Sequence, residues 1–223
     1  MHPGLILQHE PNAPAGLFAD WLCEREIPFV VSNAWEAAAP AEPAAFPWIC
    51  SLGSDQTPGR PDALPWVDEE VDLLRNALAA DVPVLGLCFG GQALAAAAGG
   101  DVHPADPEEV GWIEIETKDR ERIPAGPWLY FHYDQLELPE EALELARSPA
   151  GPAAFALDQS LGLQFHPEVT GEIVAGWAQA ENETLQRLGI TPEDLTREAE
   201  ISGAGARRDA LKLFDAWWEG LSR

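Results

Sequence analysis

Leu85-Gly86-Leu87-Cys88-Phe89-Gly90-Gly91-Gln92-Ala93 is the stretch whose reading decides the architecture of this chain. The run that starts at Val82 is apolar on both faces, as a buried central strand requires, and it passes through Gly-x-Cys-x-Gly straight into a helical pattern. That is a nucleophile elbow with cysteine in the place of serine. A sharp strand-to-helix turn would hold Cys88 out at the carboxyl edge of a sheet. The flanking glycines are needed because the backbone is crowded there and leaves no room for a Cβ. The partial positive charge at a helix start favours a thiolate nucleophile. The rival reading, a core cysteine beside a glycine hinge, explains each feature separately but not their coincidence.

Upstream of this stretch, short apolar runs alternate with helical patterns. Leu5 to Gln8, Pro28 to Val31 and Phe46 to Ser51 read as strands bounded by Gly, Pro or Asn. Leu17 to Arg25 puts Leu17, Phe18, Trp21 and Leu22 on one helical face, and Val67 to Ala80 does the same with Val71, Leu74 and Leu78. Asp68, Glu69 and Glu70 crowd the start of that second helix, where its dipole favours them. This βαβ rhythm predicts an α/β fold, a doubly wound, mainly parallel sheet flanked by helices.

Downstream the pattern changes. Trp112 to Thr117 alternates apolar and acidic residues as a strand with one wet face, and Pro127–His132, Leu143–Ser148, Ala153–Leu157 and Leu161–Phe165 follow at hairpin spacing. An antiparallel extension of the sheet is expected. His103 falls in a Pro/Asp-rich stretch read as loop, and residues 37–47, rich in Ala and Pro, read as a loose surface loop. From Thr170 the pattern is helical, with Thr191-Pro192 as N-cap and first helical residue. No linker, repeat or low-complexity tract divides the chain. One domain over 1–223 is expected, with 171–223 packed on it as C-terminal helices. The tryptophans look scattered, as core and edge packing.

Composition narrows the function classes. The chain has 223 residues, 38 acidic against 13 basic, and a formal charge of -25. Nucleic acid, anionic lipid and polyphosphate partners are disfavoured, because binding them needs clustered Lys and Arg. Cys23, Cys50 and Cys88 are odd in number and form no C-x-x-C pair, which argues against a disulfide framework and against a zinc site. No signal peptide and no membrane-length apolar run are visible. A cytoplasmic protein without metal or cofactor is the expectation.

A thiolate nucleophile needs a histidine that can take and return a proton. Of His2, His9, His103, His132 and His166, the candidate is His166, which follows a strand-like run and has a carboxylate two residues on, in Gln164-Phe-His166-Pro167-Glu168. Pro167 keeps the preceding residue extended, so His166 and Glu168 would lie on the same side of the chain, with the carboxylate orienting the imidazole. Alone the His-Pro-Glu tripeptide is weak; beside the cysteine elbow it becomes strong. His9, at the end of the first strand, reads as a satisfied strand-edge histidine rather than a catalytic group, with a place at the carboxyl edge near the site left open.

Gly86-Leu-Cys88-Phe-Gly90-Gly-Gln92 and Gln164-Phe-His166-Pro-Glu168 are similar to the two signature motifs of class I glutamine amidotransferases, in the expected order and at about the expected distance. The resemblance runs over nearly the whole chain and looks closest to stand-alone, GMP-synthase-like members. Leu5 to His9 resembles the family's first strand and Val110-Gly-Trp112 a further short motif. Phe131-His132-Tyr-Asp134 resembles its W-H-x-D segment. The resemblance implies a flavodoxin-like mixed sheet and a catalytic Cys88, His166 and Glu168. It implies an oxyanion hole from the N–H groups of Phe89 and Gly53, and substrate contacts from Gln92. For His132 and Asp134, a substrate-loop role and a hydrogen-bonded pair closing a loop both stay open. Where the family has G-G-P, this chain reads Leu52-Gly53-Ser54, which leaves the second oxyanion donor open. Ser51 to Gln56 faintly resembles an ATP-pyrophosphatase loop, a reading rejected for want of basic surroundings.

The implied activity is hydrolysis of the side-chain amide of glutamine, through a cysteinyl thioester, with ammonia supplied to a partner synthase that this chain does not contain. A free-standing hydrolase of γ-glutamyl amines or peptides is the alternative. A non-catalytic binding or regulatory subunit is a further one, weighed down by three intact catalytic residue types. The acids between Asp62 and Glu116 face one base, Arg75. They read as a solvated surface, or as a face that docks a basic partner or draws in a cationic γ-glutamyl amine.

Overall fold

Alternation of buried residues explains why the short apolar runs become central strands. A computed structural model describes residues 2–37, 39–40 and 42–221. In chain order its elements are β1 (Gly4–Gln8), α1 (Gly16–Glu24), β2 (Phe29–Asn33), β3 (Ile49–Ser51), α2 (Pro65–Ala79), β4 (Val84–Leu87), α3 (Phe89–Ala97), β5 (Asp101–Ile113) and β6 (Glu116–Thr117). Then follow β7 (Trp128–Glu137), β8 (Leu143–Arg147), β9 (Pro152–Leu157), β10 (Ser160–Leu163), α4 (Gly171–Ala180), α5 (Asn182–Arg187) and α6 (Pro192–Gly220). On β1, Leu5 and Leu7 enter a core with α2 and α3, while Ile6 between them enters a second core with α1 and α6. A strand buried on both faces in this way belongs in the middle of an α/β sandwich.

The main sheet has eight strands in the order β2-β1-β3-β4-β10-β9-β8-β6. Pairing is parallel from β2 to β10 and antiparallel from β10 to β6. The predicted mixed sheet with an antiparallel extension is what the chain forms, and β5 with β7 makes a separate antiparallel ribbon. Among the described residues no helix is long and apolar enough to cross a membrane. The three cysteines are free, Cys23 exposed and the other two buried.

Four expectations change. Trp112–Thr117 is not one strand: Trp112 and Ile113 end β5, and Glu116–Thr117 pairs with β8 in the other sheet. Period-two alternation reports an extended backbone but not its partner, so the change of sheet left no local sign. His103 lies in β5 rather than in a loop, because Pro104 and Pro107 are accommodated at a register shift between Pro104 and Glu109. The inward face of α2 runs through Val67, Glu70, Leu73, Leu74 and Ala77, with Val71 and Leu78 half-buried at its margin. The loop predicted over 37–47 includes residues 38 and 41, which lie outside the described residues, and Pro43–Ala45 in it forms a 3-10 turn.

Several of the tryptophans gather in space. Trp21 and Phe18 of α1, Trp48, and Phe214, Trp217 and Trp218 of α6 form one aromatic cluster, with ring centroids 5.1 Å apart for Phe18 and Phe214 and 6.2 Å for Trp48 and Trp217. Trp217 is buried and Trp218 half-buried at the edge. Trp21 Nε1 donates to Asp215 Oδ1 at 2.9 Å, so the one polar atom of this buried ring is satisfied. At its other end α6 starts on a capping box formed by Thr191 and Asp194 around Pro192.

Candidate active site

Four parallel strands deliver the chemistry to one edge, since the chain leaves β1, β3, β4 and β10 at their carboxyl ends into His9, Leu52-Gly53, Cys88 and Gln164 to Glu168. Cys88 is the N-cap residue of α3 and has φ +52° and ψ -106°, a left-handed conformation rare for a residue with a side chain. The turn is held on both sides. Cys88 N–H donates to Leu163 O at 2.9 Å, and Gly90 N–H donates to Leu52 O at 3.1 Å. A Cβ at Gly90 would lie 2.1 Å from Ser51 O, and one at Gly86 would lie 2.3 Å from Gly90 O, so the elbow needs both glycines.

His166 N–H donates to Leu129 O at 2.9 Å, which ties the residue to β7. Its Nδ1 lies 2.8 Å from Glu168 Oε1, and both side chains are almost wholly buried. The ring meets Trp177 edge to face at 4.8 Å. Gly53 sits between Cys88 and the imidazole: a Cβ there would be 2.9 Å from His166 Cε1 and 3.8 Å from Cys88 Cβ. Gln164 Nε2 is 3.8 Å from Cys88 Sγ. Among the described residues the N–H groups of Gly53 and Phe89 have no protein acceptor.

The imidazole of His166 is in a contest of charges. Burial pulls its pKa down, but the Glu168 carboxylate and the Cys88 sulfur outweigh burial and raise it from 6.5 to about 10. A raised value means that the folded state holds this proton better than the unfolded chain. The linked stability is therefore fully present below pH 6.5, falls as the pH rises, and is gone above about 10. Glu168→Gln is expected to flatten the decline of the urea midpoint between pH 6.5 and 10. A decline as steep in the variant as in the parent would assign it to other groups.

Gln92 is buried beside this centre. Its Nε2 donates to Asp134 O at 2.9 Å and faces Gln164 Oε1 at 3.4 Å, so its Oε1 is the atom left to meet a ligand. His132 and Asp134 lie within β7 rather than in a loop, and His132, like His166, is placed by a strand. His132 Nδ1 meets Asp134 O at 3.0 Å and its Nε2 meets Glu109 Oε2 at 3.0 Å. Glu109 also accepts from Ser148 Oγ and Ala150 N–H. Asp134 accepts from Thr57 Oγ1 at 2.7 Å and from Arg60, holding that segment over the site. Both residues are thus hydrogen-bonded structurally, and both also line the cavity.

That cavity has a volume of about 230 Å³ and is lined by Cys88, His166, Gly53, Gln92, Asp134 and Trp177, among others. Its size suits an amino acid better than a nucleotide. Glu10, Asp55 and Glu181 also border it. Among the described residues no group of three His, Cys, Asp or Glu side chains is placed to hold a metal ion. Sequence reasoning gave no site role to Glu70, Trp177 or Glu10, reading Glu70 only as a carboxylate at a helix start. Only Glu10 carried a signal, its position just past the first strand.

The family profile described as glutamine amidotransferase class-I matches residues 56–174, a span that takes in Cys88, His166 and Glu168 but not Gly53. The chain is 34% identical over 134 residues to a GMP synthase (glutamine-hydrolyzing) of Ralstonia pickettii, covering 52% of this chain and 25% of that protein. With the protein of the same name from Burkholderia mallei it shares 34% over 144 residues, 56% of this chain and 26% of that one. The chain thus spans about a quarter of the length of these curated relatives. A crystal structure of a glutamine amido transferase from Methylobacillus flagellatus superposes with a TM-score of 0.89 at 27% identity, covering 100% of this chain and 96% of that one. A glutamine amidotransferase from Thermotoga maritima superposes at 0.83 with 24% identity, covering 99% and 98%, and speaks to the fold alone.

Proposed function

The chain belongs to the class I glutamine amidotransferase family, and on that premise we propose that it hydrolyses the side-chain amide of glutamine through a thioester on Cys88. The observation that carries the reading is the strained Cys88 turn set against the buried His166–Glu168 pair, with Gly53 between them. Cys88 Sγ attacks the amide carbon as a thiolate, and the carbonyl π electrons move to oxygen. The N–H groups of Phe89 and Gly53 hold that oxyanion. His166 gives its proton to the amide nitrogen, the C–N bond breaks, and ammonia leaves behind a γ-glutamyl thioester. Water then attacks the thioester carbon while His166 takes its proton. Collapse of the second tetrahedral species releases glutamate and the Cys88 thiolate. Glu168 keeps the Nδ1–H of His166 directed away from the reaction.

The ammonia goes to a partner synthase. Support comes from the relatives named as glutamine-hydrolyzing GMP synthases. A second reading, hydrolysis of γ-glutamyl amines, is favoured by the acidic border of the cavity. Glu10, Asp55 and Glu181 would attract a cationic leaving amine, and the nearby Arg60 is already engaged by Asp134.

A glutamine-mimicking diazoketone tests the chemistry shared by both readings. Peptide mass spectrometry is expected to find its adduct on Cys88; an unlabelled Cys88 in folded protein sinks both. Glutaminase activity stimulated by a co-purifying synthase selects the first reading. Turnover of γ-glutamyl amines with none of glutamine selects the second.

A further inference from the structure

His9 belongs to no part of the chemistry described so far, yet its ring touches both residues assigned to the oxyanion. The imidazole is fully buried where the chain leaves β1. Its Nδ1 lies 3.0 Å from Gly53 O, and its Nε2 lies 2.8 Å from Glu70 Oε2. One face stacks on Trp66 at 4.8 Å and 7°, and Phe89 meets the ring edge to face at 4.9 Å. Glu70 in turn accepts from Ser51 Oγ at 2.6 Å, on the strand that leads into Gly53. The next residue, Glu10, accepts from Ser54 Oγ at 2.7 Å and from Asp55 N–H at 3.2 Å. The loop after β3 is therefore gripped at successive residues from the end of β1.

The partners settle where hydrogens must be. A carbonyl oxygen only accepts, so Nδ1 carries a proton, and Nε2 facing a carboxylate requires one more proton between His9 and Glu70. Such a charge-assisted bond, shut away from water between Trp66 and Phe89, resists displacement far better than a solvated one. Burial pulls the imidazole down, and Glu70, the Gly53 carbonyl and Glu10 together outweigh it and raise the His9 pKa.

We propose that His9, oriented by Glu70, is a positioning residue for the oxyanion hole, pinning the Gly53 backbone and the Phe89 ring in one fixed relation. The proposal rests on the reading of Cys88 as nucleophile and of Gly53 and Phe89 as oxyanion donors. Its signature is a loss confined to the step in which negative charge develops on the substrate oxygen.

Two reactions of Cys88 separate that role from mere structural support. Glutamine hydrolysis passes through an oxyanion, whereas alkylation by iodoacetamide is a direct displacement that forms none. His9→Phe keeps a ring and removes both donors; its kcat for glutamine is expected to fall about 10- to 100-fold, with KM changed less than about twofold. His9→Asn returns an N–H near the Nδ1 position and is expected to recover about tenfold of that loss. The rate of Cys88 alkylation, read by peptide mass spectrometry, is expected to stay within about twofold of the parent in both variants. An unchanged kcat in His9→Phe overturns the proposal, and so does a parallel fall in alkylation. Should His9→Phe not fold, Glu70→Gln gives the same reading, with kcat expected to drop at least about threefold and alkylation unchanged; an unchanged kcat there overturns it. A parent protein that neither hydrolyses glutamine nor takes the diazoketone brings down the glutaminase reading itself. An active parent beside an unaffected His9 variant brings down this inference alone.

Discussion

Replacing Cys88 with alanine is expected to reduce glutamine hydrolysis on the order of 10⁴-fold or more, because no other group at the site can form the thioester. The fold should survive. The thiol is a small part of the core, and the two backbone bonds that hold the turn, Cys88 N–H to Leu163 O and Gly90 N–H to Leu52 O, do not involve it. A second substitution isolates the strain. At φ +52° any Cβ is crowded, at a cost of about 1–3 kcal/mol, so alanine keeps the strain and glycine relieves it. Cys88→Gly should therefore unfold at a higher urea concentration than Cys88→Ala, by about 1 kcal/mol. Residual turnover in either variant near the parent rate would remove Cys88 from the mechanism. A glycine variant less stable than the alanine one would show that the turn is not strained.

Gly90→Ala carries the largest expected loss of stability. Its Cβ would stand 2.1 Å from Ser51 O and 2.6 Å from Ser51 C, backbone atoms of β3 that cannot rotate aside as a side chain can. Relief requires α3 to move off the sheet, breaking the bond from Gly90 N–H to Leu52 O. Such overpacking should cost about 3 kcal/mol or more. Phe89 N–H and Cys88 would be carried along, and a shift of about 1 Å at a reacting group is enough to lower turnover by about 10²-fold. Gly203→Ala in α6 is the matched control. No atom lies within 4 Å of a Cβ there, so it should be neutral or stabilising by up to about 1 kcal/mol. Equal urea midpoints for Gly90→Ala and the parent would mean that the elbow packs less tightly on β3 than the distances say.

The acidity of the chain takes on a second meaning in the folded protein. Glu70 and Glu109 belong to the acidic stretch that reads as surface, yet both are buried, each against a histidine, His9 and His132. Glu70 looks like one of three carboxylates favoured by a helix dipole. In α2 it occupies the inward face with Val67, Leu73 and Leu74 and meets His9 across 61 residues of sequence. The negative surface that could face a cationic amine or a basic partner is smaller than the sequence count implies.

What the chain determines by itself is whatever depends on neighbours in sequence. The buried run into Cys88, the crowded glycines of the elbow and the extended His166-Pro167-Glu168 each follow from a few adjacent residues, because backbone sterics act over that range. What the tertiary structure decided is which strand ends stand side by side. Parallel strands are joined by long crossovers, so nothing in the residues around Gly53 or His9 states that β1, β3, β4 and β10 deliver them to one edge. Only when those strands align does Gly53 come to lie between His166 and Cys88, and only then does His9 reach Gly53 and Phe89 together. The candidate reacting groups could be proposed from local sequence, while the grip of His9 and Glu10 on the loop after β3 exists only as the sum of long-range contacts.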